Sequence, residues 1–244
     1  AAPVPSAAAA EPARRPGSGS GLPLGDVRQE CRGLARAAVR LDTRAMETLL
    51  QRVVDEYGLV TAWEEVLAPT LHAVGRRWES SDDRYVEVEH LLSWQVSTAL
   101  RRAVVTGRAD AWAAPVVLAC MPAELHTLPL EALAAGLAEQ GVPTRMFGGA
   151  VPAEALDAAV RRCGPAVVVL WSQARSTASR ALARHVAGTA FGPRGARTTP
   201  LVLLAGPGWA GRPPGAGMLR PHGLREALDL ITKWYEETAR VAGG

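Results

Sequence analysis

The residues best suited to chemistry stand in one short segment, Met121-Pro122-Ala123-Glu124-Leu125-His126-Thr127-Leu128-Pro129. An imidazole can ligate a metal near neutral pH, and a carboxylate two residues earlier can accept its other ring N–H, fixing the tautomer and raising the basicity of the free nitrogen. A loop histidine without such a setting is ordinarily a solvated surface residue, so position and neighbours decide the matter. A second group, Trp78 with Glu89 and His90, flanks the polar stretch at residues 80–83, and a loop there would fold the two sides together. From spacing alone it reads equally as a bundle-end core tryptophan beside a solvated face. Ser172 has no His and Asp partners in a hydrolase-type motif, and the Gly- and Pro-rich residues 206–217 carry neither a phosphate-loop nor a dinucleotide fingerprint. That segment reads as a ligand-facing or a disordered loop. His72 and His185 read as structural or exposed, His222 as a cap-region residue, and Trp63, Trp94, Trp112, Trp209 and Trp234 as packing residues.

The elements that must position these groups fall into two textures. Residues 1–25 are rich in Pro, Gly, Ser and Ala and read as a flexible tether. Residues 26–110 predict a four-helix bundle: a helix capped by Asp26 and running to about Leu41, a second capped by Thr43 and stopped by Gly58, a third over 59–78 kinked at Pro69, and a fourth over 85–106. Residues 111–244 predict a doubly wound, flavodoxin-like or Rossmann-like parallel sheet, with strands at 116–120, 144–147, 166–171 and 201–205. Helical patterns near 129–140, 153–163, 175–190 and 224–238 complete it. In such a sheet, ligands bind beyond the carboxyl ends of the strands, at the switch point, which is where His126 follows the first strand.

Composition bounds the rest. The chain has 244 residues, 48% of them apolar and 21% charged, which suits two globular domains. The net charge is only +3 and the arginines are scattered, so this segment has no basic stripe with which to hold nucleic acid by itself. Cys31, Cys120 and Cys163 lie far apart and suggest neither a disulfide framework nor a zinc site, which fits a reducing cytoplasm. No signal peptide and no run of about 18 apolar residues is present, which predicts no membrane partner. A start at Ala1 inside linker-like sequence suggests a natural chain extending upstream.

Glu-x-His at the end of the first strand, after a bundle carrying Trp and a Glu-His pair, resembles the light-sensing, adenosylcobalamin-binding regulators of the CarH/LitR group. Those proteins join this module to an N-terminal MerR-type DNA-binding domain, and the likeness covers about residues 26–240. The resemblance implies a non-enzymatic sensor in which His126 is the lower cobalt ligand and Glu124 its hydrogen-bonding support. It further implies that Trp78, Glu89 and His90 enclose the upper, adenosyl face, while Ser172, Gly206 and Gly208 flank the nucleotide tail. Homo-oligomers and operator DNA, bound through an upstream domain, are the partners implied.

The sequence departs from the family pattern at several places. Pro129 and Pro207 stand where glycines are usual, Trp171 is bulky where the tail would pass, and the Trp78-to-Glu89 spacing is one residue longer. Glu79 stands where some photoreceptors of the group have a histidine. Two alternatives therefore stay open: a relative that regulates without cobalamin, and a corrinoid carrier serving a methyltransferase.

Overall fold

Helix periodicity and capping build the first half of the molecule. The computed structural model describes residues 29–79, 85–106, 114–193, 197–211 and 213–242; the tether expected over 1–25, the Asp26 cap, the loop at 80–83 and Trp112 lie outside the described residues. The helices here are α1 (Gln29–Val39), α2 (Thr43–Tyr57), α3 (Leu59–Ala62), α4 (Ala68–Glu79) and α5 (Val86–Thr106). Asp42, one residue before the expected Thr43, caps α2 by accepting the Ala45 N–H at 3.0 Å, and Met46, Leu50 and Val53 form its buried stripe.

The kink expected at Pro69 takes the form of a π-helical turn at Trp63–Leu67, joining α3 to α4. Proline has no N–H to donate four residues back, and its ring crowds that carbonyl, which belongs to Glu65. The Cys31 thiol on α1 donates to the Glu65 carbonyl at 3.2 Å, so the distortion is stitched to a neighbouring helix.

The second half is a five-stranded parallel sheet in the order β2-β1-β3-β4-β5, the flavodoxin-like arrangement. Its strands are β1 (Val116–Cys120), β2 (Thr144–Gly148), β3 (Val167–Trp171), β4 (Leu201–Ala205) and the two-residue β5 (Met218–Leu219). β1 and β4 are buried throughout and β3 up to Trp171, whereas β2, on the edge, exposes Arg145, Met146 and Phe147. Helices α6 (Leu128–Glu139) and α9 (Leu224–Ala242) cover one face; α7 (Ala153–Cys163) and α8 (Arg180–Ala187) cover the other. α8 is shorter than its expected span because Ser179 caps it and Gly188 ends it.

α6 is buried almost all round, from Leu130 to Ala138, because it lies between the sheet and α5. A helix apolar on every side can only be stable inside a core, and here that helix joins the two halves. Among the described residues no helix is long and apolar enough to cross a membrane.

Candidate functional site

β1 ends at Cys120, and the chain turns through Ala123, at φ +65°, before α6 begins. The turn folds Glu124 inward to 2% exposure and leaves the His126 side chain 66% exposed. One carboxylate oxygen of Glu124 accepts the His126 backbone N–H at 3.1 Å and meets its Nδ1 at 2.5 Å. The other accepts the Gln173 N–H at 2.7 Å and the Thr177 hydroxyl at 2.9 Å. Glu124 thus ties the loop after β1 to the loop after β3, across the switch point of the sheet. Burial pushes its carboxyl up, but the His126 ring, the Gln173 and His126 amides and the Thr177 hydroxyl outweigh burial and hold it at about 2. An ionised Glu124 can only accept from Nδ1, so in a neutral imidazole held this way the lone pair is on Nε2.

His126 opens onto a cavity of about 1150 Å³ between the two halves, lined by α4, α5, residues 125–129, Glu131 and Gln173. Trp94 and Leu125, 70% and 74% exposed, both line it, giving the cavity broad apolar surfaces beside the imidazole. Glu89 and His90 line it from α5; Glu89 accepts the Ser93 hydroxyl at 2.9 Å and lies 3.8 Å from His90 Nε2. Beneath them Glu131, 5% exposed, receives the Ser97 hydroxyl at 2.5 Å, Arg101 through two nitrogens at 3.1 Å, and the Thr127 hydroxyl at 3.0 Å.

Of the residues singled out in the sequence, Glu89, His90 and His126 share this cavity, with Glu124 behind His126. Trp78 lies in the last turn of α4, but its side chain lies outside the described residues. Ser172, Gly206 and Gly208 lie together elsewhere, where the loops after β3 and β4 meet. The Ser172 hydroxyl donates to the Ala174 carbonyl at 2.8 Å, and the Gly208 N–H donates to the Ser172 carbonyl at 2.9 Å. Pro129 lines the cavity, in the first turn of α6.

The packing role expected for Trp94 is corrected by its exposure, whereas Trp209 is 1% exposed and donates its indole N–H to the Leu170 carbonyl at 3.0 Å. The signal for Trp94 was present: with His90, Ser93, Ser97, Thr98 and Arg101 it shares the polar stripe of α5, where a core residue has no place. His72, on α4, is exposed and also lines the cavity, while His185 meets Asp157 and His222 meets Glu226.

Residues 30–111 match the B12 binding domain family. Over 172 residues, 69% of this chain and 55% of the relative, the sequence is 34% identical to the HTH-type transcriptional repressor CarH of Myxococcus xanthus. The chain therefore spans about half the length of that relative. The monomethylamine corrinoid protein of Methanosarcina barkeri superposes with a TM-score of 0.62 at 13% identity, covering 82% of this chain and 95% of its own, and shares the fold. Residues 30–111 thus match the B12 binding domain family, and the chain is similar to the CarH repressor over 172 residues.

Proposed function

We propose that the cavity holds a cobalamin, with His126 Nε2 as the lower axial ligand and Glu124 as the group that fixes the ring. The observation that carries this is the Glu124–His126 pair, facing a 1150 Å³ cavity roofed by α4 and α5. The donor set fits a metal held in a macrocycle. Both Glu124 oxygens are committed to the protein, so the pair offers one imidazole nitrogen, too few for a bare ion that needs three or four protein ligands. The exposed faces of Trp94 and Leu125 suit a wide, flat, largely apolar ring. When bound, the cofactor supplies a cobalt centre with an exchangeable upper ligand, adenosyl in our reading.

The protein's part is to position. Glu124 holds the imidazole in one tautomer, while Glu89 and His90 border the cavity from α5. Because roof and floor come from different halves of the molecule, an upper ligand between them biases their arrangement by its differential affinity. We infer a non-enzymatic, light-responsive module of a cytoplasmic transcriptional regulator, in which that bias sets the oligomer and, through a DNA-binding part outside this chain, occupancy of an operator. Mixing the protein with adenosylcobalamin in the dark tests the first step. Co-elution with the spectrum of a nitrogen-ligated cobalamin is expected, with co-elution lost, or the spectrum turned to that of a cobalamin without a lower nitrogen ligand, in His126→Ala; absence of co-elution refutes binding. Size exclusion before and after green light tests the second step, and an unchanged oligomer refutes it.

A further inference from the structure

We infer that the site grips the corrin ring alone and leaves the nucleotide arm of a cobalamin outside the sheet half, so that a corrinoid without the arm binds at least as tightly. This rests on the cavity reading above and adds which part of the ligand the protein recognises. In free cobalamin the base of the arm occupies the lower cobalt position. For His126 to take that position the arm must go elsewhere, either into the protein beside the His126 loop or into water.

The route into the protein is filled by the chain itself. A Cβ added at Gly206 would fall far inside contact distance of the Ser172 carbonyl, and one at Gly208 inside that of Ala174 and Ser172. The close approach these glycines permit is thus spent on backbone, with Ser172 N–H bonded to the Ala205 carbonyl at 3.0 Å and Gly208 N–H to the Ser172 carbonyl at 2.9 Å. Ser172 is 0% exposed, and its hydroxyl is already matched by Ala174 and Thr177.

Behind these loops an indole packs against each face of the sheet. Trp209 belongs to the core with Met121, Leu170 and Leu204, on the side of α7 and α8. Trp171 packs into the core that holds Cys120, Ala205 and Leu130, on the side of α6 and α9. Admitting a nucleotide would expel the buried Trp209 indole or part loops that hydrogen-bond one another through Ser172, Ala205 and Gly208. The ring needs neither, because its cavity is open.

Trp171 Nε1 is buried without an acceptor among the described residues, which supplies a control. If the arm did enter, this N–H would be a donor waiting for it, and Trp171→Phe would weaken adenosylcobalamin selectively. On the present inference the indole fills space, and Trp171→Phe changes both ligands alike.

The test titrates the whole chain in the dark with adenosylcobalamin and with adenosylcobinamide, which lacks the nucleotide, following visible spectra and co-elution. Adenosylcobinamide binding at least as tightly, with both ligands weakened more than tenfold by His126→Ala, is expected. Tighter binding of adenosylcobalamin, beyond titration error, or its selective loss in Trp171→Phe overturns the inference and leaves the cavity reading standing. Failure of both corrinoids to bind removes the cavity reading, and this inference with it.

Discussion

Glu131 offers the sharpest test of how the two halves are joined. It lies in the first turn of α6 and draws four hydrogen bonds, of which Ser97 and Arg101 supply three from α5 and Thr127 supplies one from its own loop. Burial pushes its carboxyl up, but Arg101, Ser97 and Thr127 outweigh burial and hold it below the ordinary value of 4.5. A net hydrogen bond to a charged acceptor contributes roughly 1.5–3 kcal/mol, but the donors stranded by Glu131→Ala can turn to water in the cavity. A loss of about 2–3 kcal/mol is therefore expected, equivalent to about 5–10 °C in Tm for a chain of this size. Arg101, 72% exposed, returns to solvent at little cost in Glu131→Ala, whereas Arg101→Ala leaves the buried Glu131 carboxylate with only Ser97 and Thr127 and should lose at least as much. The sign of the pH dependence follows from the depressed pKa. The carboxylate's contribution is complete above the unfolded value near 4.5 and fades as pH falls through the folded value. Urea unfolding of wild type and Glu131→Gln from pH 8 to 3.5 should show a constant gap that narrows below about pH 4.5. A gap under about 0.5 kcal/mol at pH 7, or one unchanged at pH 3.5, would show that the carboxylate does not tie α5 to α6.

Three further outcomes are expected. Trp94→Ser should shift stability by no more than about 0.5 kcal/mol, because the indole is 70% exposed, yet weaken corrinoid binding severalfold in a spectral titration. Trp209→Ala should cost about 3–5 kcal/mol in urea unfolding, because it empties a buried indole site and strips the Leu170 carbonyl of its donor. Of the three cysteines only Cys163 should react quickly with a thiol reagent in the native protein at pH 8. Cys31 and Cys120 are buried, and burial first, with the charges of Glu124 and Glu131 after it, pushes the Cys120 thiol up to about 12, so both should wait for unfolding.

Much of the fold was legible because its signals are local. The expected spans of β1 and β4 match the observed ones, since an apolar run flanked by turn residues marks a strand buried on both faces. β5 carries no such pattern: Met218 and Leu219 follow a Gly- and Pro-rich segment and become a strand only by pairing with Val202 and Leu203. The start of α8 was misplaced because its limit is the Ser179 cap, which a helical pattern does not reveal. At the site, the i, i+2 spacing of Glu124 and His126 was readable, but the second grip on Glu124 comes from Gln173 and Thr177, 49 and 53 residues away. That grip exists because β1 and β3 are neighbours, a fact of topology rather than of spacing.

The same topology explains why a ligand at His126 would be felt by the whole molecule. The loop carrying His126 runs directly into α6, and α6 is clamped to α5 through Glu131 four residues after Thr127. A pull on the imidazole therefore acts on a buried helix that cannot move without repacking both the sheet and α5. At the other end of the contact, Glu64 in the π-helical turn accepts the Arg225 N–H at the start of α9 at 3.0 Å, so the halves are pinned at two separated points. Because one apolar core runs through both halves, from Leu92 and Leu100 on α5 to Leu130 and Leu137 on α6, a ring in the cavity would press on walls that resist independent movement.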